Sequence, residues 1–405
     1  MLKPSLDDLI KSSFHSVLKN KSRTLLTSLG VIIGVTSVIL LTSIGNGLKI
    51  YVNQQFEALG SNTIFVSPGK IFNDNGGFSN SRSGLIATSF TEKNITDLKR
   101  GLKTNLVMPL KTTAVEVKSN TTKKTATLVG TNYLYGPNNN SAPTTGNGRW
   151  FTKEEEDKKS DIAILGATIA QDLFPSGNAL GKKIVVNSKN LKIIGVNDKK
   201  GSSFGGPSVD EYVFVPFGIA ADIAGDQNIQ QIIIKAPDKN QIEATKEKTK
   251  KILLEHFDKD AFSVFDSAQL LNSINSIIGT LTIALTGIAA ISLVVGGIGI
   301  MNIMLVTVSE RTREIGLRKA IGAYPRAILL QFLFEAVILS GIGGFIGILL
   351  GALGTMAINN FFPAKITLGS ITLAFGVSFM VGIIFGVAPA RKASKLSPIE
   401  ALRYE

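Results

Sequence analysis

Four long apolar segments alternate with polar sequence along this chain, one near its start and three near its end. They cover residues 24–45, 277–308, 327–358 and 371–390. An α-helix rises 1.5 Å per residue, so about 20 apolar residues cross the ~30 Å hydrocarbon layer of a bilayer. The pattern therefore predicts four transmembrane helices.

The segment between the first two spans, residues 46–276, has the polar texture of a domain outside lipid. A helical stalk is predicted at its start. Strand and helix patterns then alternate in 61–116 and again in 228–266, whereas 117–227 has the pattern of short strands joined by long polar loops. The predicted fold is an α-helical membrane protein with four transmembrane helices plus an α+β extracytoplasmic domain with a β-rich insertion.

Basic residues beside the spans predict the orientation. Lys and Arg number five in residues 1–23, five in 309–326 and four in 391–405. Basic flanks stay on the cytoplasmic side. We therefore expect both termini and the 309–326 connection in the cytoplasm, and 46–276 outside, in a multi-pass protein of a bacterial-type cell (inner) membrane. Residues 1–23 also carry apolar positions at helical spacing, which predicts an amphipathic helix on the bilayer surface, and 391–405 is expected to be a cytoplasmic tail.

The net charge of +13 does not indicate nucleic-acid binding, because the local excess lies in these flanks next to the bilayer. Residue types that are common in catalytic and metal sites are also scarce. The sequence has no Cys and two His, His15 and His256, which are expected on opposite sides of the membrane. The nearest approach to a phosphate-binding loop, 179–183, lacks the upstream Gly and the final Ser or Thr. Ser–Lys and paired-carboxylate chemistry stay open in 46–276, but we predict no catalytic, metal or cofactor site on this chain.

One ionisable residue, Glu335, lies inside a predicted span. An intramembrane carboxylate is typical of a proton or substrate path. The alternative is a carboxyl group that is protonated or bonded to a neighbouring helix near the cytoplasmic end. We favour the alternative, because the spans hold no second charge to which a proton could be relayed.

Glycines recur at helical spacing in the spans, where they let helix backbones approach closely in lipid. The predicted packing positions are Gly30, Gly34, Gly296, Gly297, Gly299, Gly343, Gly347, Gly351, Gly382 and Gly386. Contacts within one monomer and contacts in a dimer are both consistent with this spacing.

The charged connection 309–326 predicts a short helix with an apolar side, ended by Gly322 and Pro325. Glu314 and Arg318 form an i, i+4 pair in the favourable order. A solvated loop that only sets topology is the simpler interpretation, yet a rigid two-sided helix fits docking on a cytoplasmic protein better. The candidate docking residues are Glu310, Arg311, Arg313, Glu314, Ile315, Leu317, Arg318 and Lys319.

The sequence closely resembles the MacB/FtsX-type ABC transporter permeases. The resemblance is carried by the runs 21–35, 296–305, 309–323 and 389–402, and by parts of the β-rich segment between 164 and 196. It covers essentially the whole chain, and the 309–323 motif is highly specific.

This resemblance implies a non-catalytic permease subunit that dimerises, as a homo- or heterodimer, and whose 309–323 segment is a coupling helix. The macrolide exporters of the family carry an ATPase domain ahead of the first span, where this sequence has 23 residues. A separate ABC ATPase subunit that holds ATP and Mg is therefore expected. By the same resemblance, its closure would move the extracytoplasmic domain by mechanotransmission.

We expect export of peptides, antibiotics or other amphiphiles, with a membrane-fusion or adaptor protein as a further candidate partner beside the lipid bilayer. Lipoprotein release and regulation of cell-wall hydrolases are alternatives within the same fold. A membrane-anchored sensor or binding module is the alternative from a different class.

Overall fold

The computed structural model describes residues 21–59, 62–73, 89–119, 122–144, 146–175, 177–201 and 208–402. The predicted amphipathic helix of residues 1–23 lies outside the described residues except for its last positions. The chain divides into two compact units. Met1–Tyr51 with Ile277–Glu405 is called the membrane unit here, and Val52–Ser276 the sheet unit.

Helices and strands are numbered in chain order. The first described element is α1 (Lys21–Leu59). The next elements are β1 (Thr63–Pro68), α2 (Glu92–Leu102), β2 (Val107–Lys118), β3 (Lys123–Thr131), α3 (Tyr135–Asn138), α4 (Lys153–Asp157), β4 (Ile162–Leu165), α5 (Ala167–Leu173), β5 (Lys183–Val186), β6 (Lys189–Val196), β7 (Tyr212–Pro216), α6 (Phe217–Ala224), β8 (Gln231–Lys235), α7 (Ile242–Leu253) and β9 (Phe262–Asp266). The last elements are α8 (Ser267–Glu310), α9 (Thr312–Ala320), α10 (Pro325–Ile358), α11 (Leu368–Lys395) and α12 (Pro398–Leu402).

The first layer of the sheet unit is a split β-α-β arrangement. Its strands follow the order β2-β8-β1-β9, all antiparallel, and β1-α2-β2 is matched by β8-α7-β9. Alternate strand residues such as Ile64 and Ile234 are buried against Leu98 of α2 and Leu253 of α7. This is the ferredoxin-like pattern, interrupted between its second and third strands.

The interruption is a closed six-stranded β-barrel of β2, β3, β7, β4, β6 and β5. The strand order runs β3-β7-β4-β6-β5-β2, and β2 pairs again with β3 to close the ring. Inward residues of these strands, such as Leu128, Leu165 and Val213, form its core. The β-rich insertion is therefore a separate core that shares one strand with the first layer.

That shared strand corrects the predicted boundary. The break predicted between 116 and 117 lies inside β2, whose residues Val107–Leu110 pair with β8 and whose residues Lys111–Lys118 pair with β3. The polar residue Lys111 does not end the strand, because its buried ammonium donates to Asp226 Oδ1 at 2.5 Å and to the Asn228 carbonyl at 3.2 Å. The barrel thus begins at Lys111.

Two helices lie where the sequence pattern predicts polar loops. Ile169 and Leu173 of α5 and Ile219 and Ala220 of α6 are buried in the barrel core. Gly130 of β3 leaves no room for a Cβ, which would overlap the Cβ of Ala220. Helices of seven and eight residues are too short for a helical period to stand out in the sequence, so the barrel that they cover decides their type.

In the membrane unit, α1, α8, α10 and α11 confirm the four predicted spans. Within the described residues these four helices are long and apolar enough to cross a membrane. They are longer than the predicted apolar segments, and α1 includes both the first span and the predicted stalk without a break. Their shared core contains Val35, Leu293, Phe332 and Val381.

Most of the predicted glycines lie where two of these helices touch. A Cβ on Gly30 of α1 would overlap the Cα of Gly296 on α8, and one on Gly34 would meet the Leu293 side chain. A Cβ added to Gly347 of α10 would lie 2.8 Å from the Cβ of Val35 on α1. One added to Gly351 would lie 2.7 Å from the Cβ of Ile39. An added Cβ would also lie too close to a side chain of the neighbouring helix at four more sites, which are Gly297 with Phe385, Gly343 with Ser28 and Val31, Gly382 with Ser340, and Gly386 with Ala336.

Gly299 is the exception. An added Cβ there would meet nothing within 4 Å, so among the described residues it makes no close helix contact. A packing role for Gly299 in a dimer stays a prediction. The other predicted glycines place α1 against α8 and α10, and α11 against α8 and α10.

We expect Gly30→Ala to destabilise the membrane unit, because the added methyl forces α1 away from α8. Overpacking of this kind costs about 1–3 kcal/mol. Gly299→Ala is the matched control, since Ala is the better helix former and the site is open, so its melting temperature in detergent should be unchanged or higher. Equal loss of thermal stability in both variants would contradict the close contact between α1 and α8 at Gly30.

The ion pair between the buried Lys111 and the exposed Asp226 gives a second prediction. Asp226→Asn should lower the stability of the sheet unit by about 1–3 kcal/mol, because it leaves a buried ammonium without its carboxylate. The hydrogen bond from Lys111 lowers the pKa of Asp226 below its ordinary 3.8, so the wild-type contribution is present above that pH and is lost as the pH falls through the lowered pKa. The variant should therefore show a flatter acid dependence.

Fluorescence of Trp150 measures this effect in the full chain, because it is the sequence's single Trp and is buried in the sheet unit. Urea midpoints at several pH values are compared with those of Asp222→Asn, which removes a surface pair with Lys189. The control should lose less than about 1 kcal/mol. A loss as large as that of Asp226→Asn would show that burial of Lys111 is not the cause.

Candidate functional site

The connection between α8 and α10 forms the nine-residue helix α9. Arg311 breaks the preceding helix, with backbone angles φ −101° and ψ 14°. Gly322, at φ 100°, adopts the left-handed conformation that ends many helices, and its N–H donates to the Lys319 carbonyl at 3.0 Å. Pro325 then occupies the first turn of α10. A short helix with a turn on each side is therefore held between two spans.

One face of α9 packs into the membrane unit. Thr312, Ile315 and Gly316 are buried, and Ile315 belongs to the same core as the spans. A Cβ on Gly316 would lie 2.6 Å from the Cβ of Ala401, so α9 and α12 are in close contact. Ile315 is thus a packing residue of the membrane unit, and its predicted part in coupling to an ATPase stays a prediction.

Lys319 is also used inside the chain. Its ammonium donates to the carbonyls of Ser394 and Leu396, both at 2.6 Å. Carbonyls at a helix end have no partner within the helix, so this side chain caps the end of α11. Burial lowers the pKa of Lys319. Its role in the described structure is to fix α9 to α11.

Two arginines attach α9 to α10. Arg318 is paired with Glu314 at 2.5 Å, as the i, i+4 spacing predicts, and also donates to Gln331 Oε1 at 2.8 Å. Arg311 lies 3.4 Å from Glu335 Oε2 through Nη1, and 4.0 Å from Glu314 through Nε. The Glu335 side chain is 7% exposed. Glu335 is therefore bonded to a neighbouring segment.

The outward face of α9 is different in character. Arg313 and Leu317 are exposed, as is Glu310 at the end of α8, and Leu317 retains 57% of its accessible surface. Ile321, just after the helix, is 80% exposed, and Tyr324 is 52% exposed. Apolar side chains next to charged ones on a helix that does not itself span suggest a surface that another protein covers.

The eight predicted docking residues therefore separate into two groups. Glu310, Arg313, Glu314 and Leu317 are exposed, whereas Arg311, Arg318 and Lys319 are half-buried and Ile315 is buried. Tyr324, Gln331 and Ala401 were not predicted. Gln331 lies four residues before Glu335 on the same face of α10, which is the sequence signal that could have identified it. Among the described residues no group of three or more His, Asp or Glu could hold a metal ion.

Two family profiles match the chain. The MacB-like periplasmic core domain matches residues 24–252, and the FtsX-like permease C-terminal domain matches residues 286–398, which include α9. The chain belongs to the MacB/FtsX-like ABC transporter permease family, so the resemblance noted in the sequence is confirmed.

Curated relatives agree over nearly the whole chain. Proteins named macrolide export ATP-binding/permease protein MacB are 36% identical in Azoarcus sp. (strain BH72) and 37% identical in Wolinella succinogenes, each over 407 residues and 99% of this chain. The chain spans 60% and 61% of the length of these relatives.

Two solved structures of extramembrane regions also match part of the chain. The periplasmic region of MacB from Actinobacillus actinomycetemcomitans has a TM-score of 0.45 and 18% identity, covering 55% of this chain and 97% of that one. The extracellular domain of the noncanonic ABC-type transporter YknZ from Gram-positive bacteria has a TM-score of 0.41 and 21% identity, covering 51% and 100%.

Proposed function

We propose that this chain is the permease part of an ABC transporter and that a cytoplasmic ABC ATPase binds the outward face of α9. The observation that carries the proposal is the exposure of Leu317 on α9 and of Ile321 just after it, while the other side of α9 contacts α10, α11 and α12. A surface that is apolar, exposed and rigidly supported suits the transfer of force from a partner.

The proposed orientation follows from the flanking charges. Arg and Lys are concentrated in 309–326 and 391–405, and basic segments of this kind remain in the cytoplasm. Both termini and α9 are then cytoplasmic, and the sheet unit lies outside the membrane.

In this proposal ATP and Mg are held by the ATPase, as a separate subunit, and this chain is not itself catalytic. ATPase closure displaces α9, and the spans carry the displacement. Two of them continue beyond the membrane unit without a break, since α1 extends to Leu59 and α8 starts at Ser267. The movement thereby reaches the sheet unit by mechanotransmission.

The proposed cargo is an amphiphile, such as a peptide or antibiotic, taken from the outer face. The names of the relatives, which refer to macrolide export, support this class of compound. A second permease copy and a membrane-fusion or adaptor protein complete the proposed assembly.

We expect Arg313→Glu to reduce recovery of the ATPase in an affinity pulldown from the native cell by about fivefold, and Leu317→Asp with Ile321→Asp to reduce it by about tenfold or more. These residues are exposed, so insertion and folding should be unaffected. Charge reversal at Arg313 tests docking more specifically than charge reversal at Arg318, because the change at Arg318 would also break its contacts with Glu314 and Gln331.

Lys392→Glu is the matched control, because Lys392 is exposed and basic but lies on α11. Its recovery of the ATPase should equal that of the wild type. Equal weakening by Lys392→Glu would indicate general charge attraction instead of docking on α9. Recovery of no ABC ATPase by the wild-type chain would favour a membrane-anchored sensor.

A further inference from the structure

Glu335 is the one ionisable residue within the four apolar segments of the sequence, and its side chain is 7% exposed. It lies about 15 Å along α10 from the first residue of that helix. Burying a carboxylate among apolar side chains is costly unless it is paired. A Leu at this position would fill the same space without that cost, so the packing of α10 alone does not explain the residue.

Its partner, Arg311, occupies a special place in the chain. Arg311 is the single residue between the end of α8 and the start of α9, and its guanidinium is 3.4 Å from the Glu335 carboxylate. The ion pair therefore joins the α8–α9 junction to the interior of α10. A displacement of this junction must therefore move Glu335 or break the pair.

Other contacts that hold α9 in place lie nearer to the ends of the neighbouring helices. Lys319 bonds to carbonyls at the end of α11, and Gly316 contacts Ala401 of α12. Arg318 bonds to Gln331, one helical turn before Glu335 and closer to the start of α10. Of these contacts, the pair with Glu335 lies farthest from the start of α10, and burial of its carboxylate strengthens the ionic contact.

A proton path is the competing explanation of a carboxylate at this depth. A relay needs a second titratable group within reach along the span, and the four apolar segments contain none. The guanidinium of Arg311 lies 3.4 Å from the Glu335 carboxylate. The surroundings therefore suit an ion pair better than a step in a proton path.

We propose that the ion pair of Arg311 and Glu335 is the joint through which movement of α9 is transferred to α10. This inference rests on the proposed function, since it assumes that an ATPase moves α9. Glu335 is then a positioning residue that couples ATP use to movement of the span, and it takes no part in binding the ATPase.

The test uses the full chain in proteoliposomes with the ATPase that the wild type recovers. The sequence has no Cys, so Asn360→Cys gives a single attachment site for an environment-sensitive fluorophore. Asn360 is exposed and lies just beyond the far end of α10. The readout is the change in fluorescence on addition of Mg-ATP, measured beside ATPase recovery and ATP turnover.

We expect Glu335→Gln to keep ATPase recovery and turnover while the fluorescence change falls by about fivefold or more. The double variant Arg311→Glu with Glu335→Arg should restore part of the change, because the pair is re-formed with exchanged charges. Ser378→Ala is the matched control. It removes a buried hydrogen bond of 2.5 Å from α11 to the Ser340 carbonyl on α10, so it should lower stability but leave the fluorescence change intact.

A full fluorescence change in Glu335→Gln would overturn the inference. Loss of ATPase recovery in that variant would also overturn it, since the pair would then be needed to form the docking surface. An equal loss in Ser378→Ala would show that the response depends on general stability and would refute a specific joint. Absence of an ABC ATPase with the wild-type chain is a different result, which contradicts the proposed function itself.

Discussion

Hydrocarbon offers no hydrogen-bonding partners, and this constraint governs the arrangement of the chain. Within a bilayer every backbone N–H and C=O must be satisfied inside its own helix, and charged side chains are excluded unless they are paired. The four long helices meet this condition with apolar segments that contain one charge. Strands, loops and most charges are consequently in Val52–Ser276 or at helix ends.

Lipid is as apolar as the helices, so the hydrophobic effect does not hold the spans together, and close packing must do so. Gly30 and Gly296 bring the backbones of α1 and α8 into contact, and Gly347 brings α10 against α1. Polar links at the end of the bundle complete the assembly, with Lys319 and Arg318 attaching α9 to its neighbours. The exposed side of α9 is thereby presented on a fixed support.

The sequence predicts those features that depend on local pattern. The four spans follow from uninterrupted apolar runs, and the Glu314–Arg318 pair follows from i, i+4 spacing. Features that depend on distant partners were missed. The strand β2 continues through Lys111 because that residue meets Asp226, 115 positions away.

The two faces of α9 show the same limit. Ile315 and Leu317 are both apolar, but α9 packs against α12 through Gly316 and the distant Ala401, and Ile315 is buried while Leu317 is exposed. Periodicity alone reveals an apolar side without showing which residues the rest of the fold covers. Pro and Gly, by contrast, marked the end of the helix correctly at Gly322 and Pro325.

The central claim is that the outward face of α9 is covered by an ABC ATPase in the cell. A photo-reactive amino acid at Ile321, which is 80% exposed, tests it most directly. After irradiation of the native cell, the cross-linked product is purified through this chain and identified by mass spectrometry. The account predicts an ABC ATPase at this position and none from the same probe at Phe361, which is 93% exposed at the other end of α10. Capture of lipid alone at Ile321, with the protein folded and inserted, would contradict it.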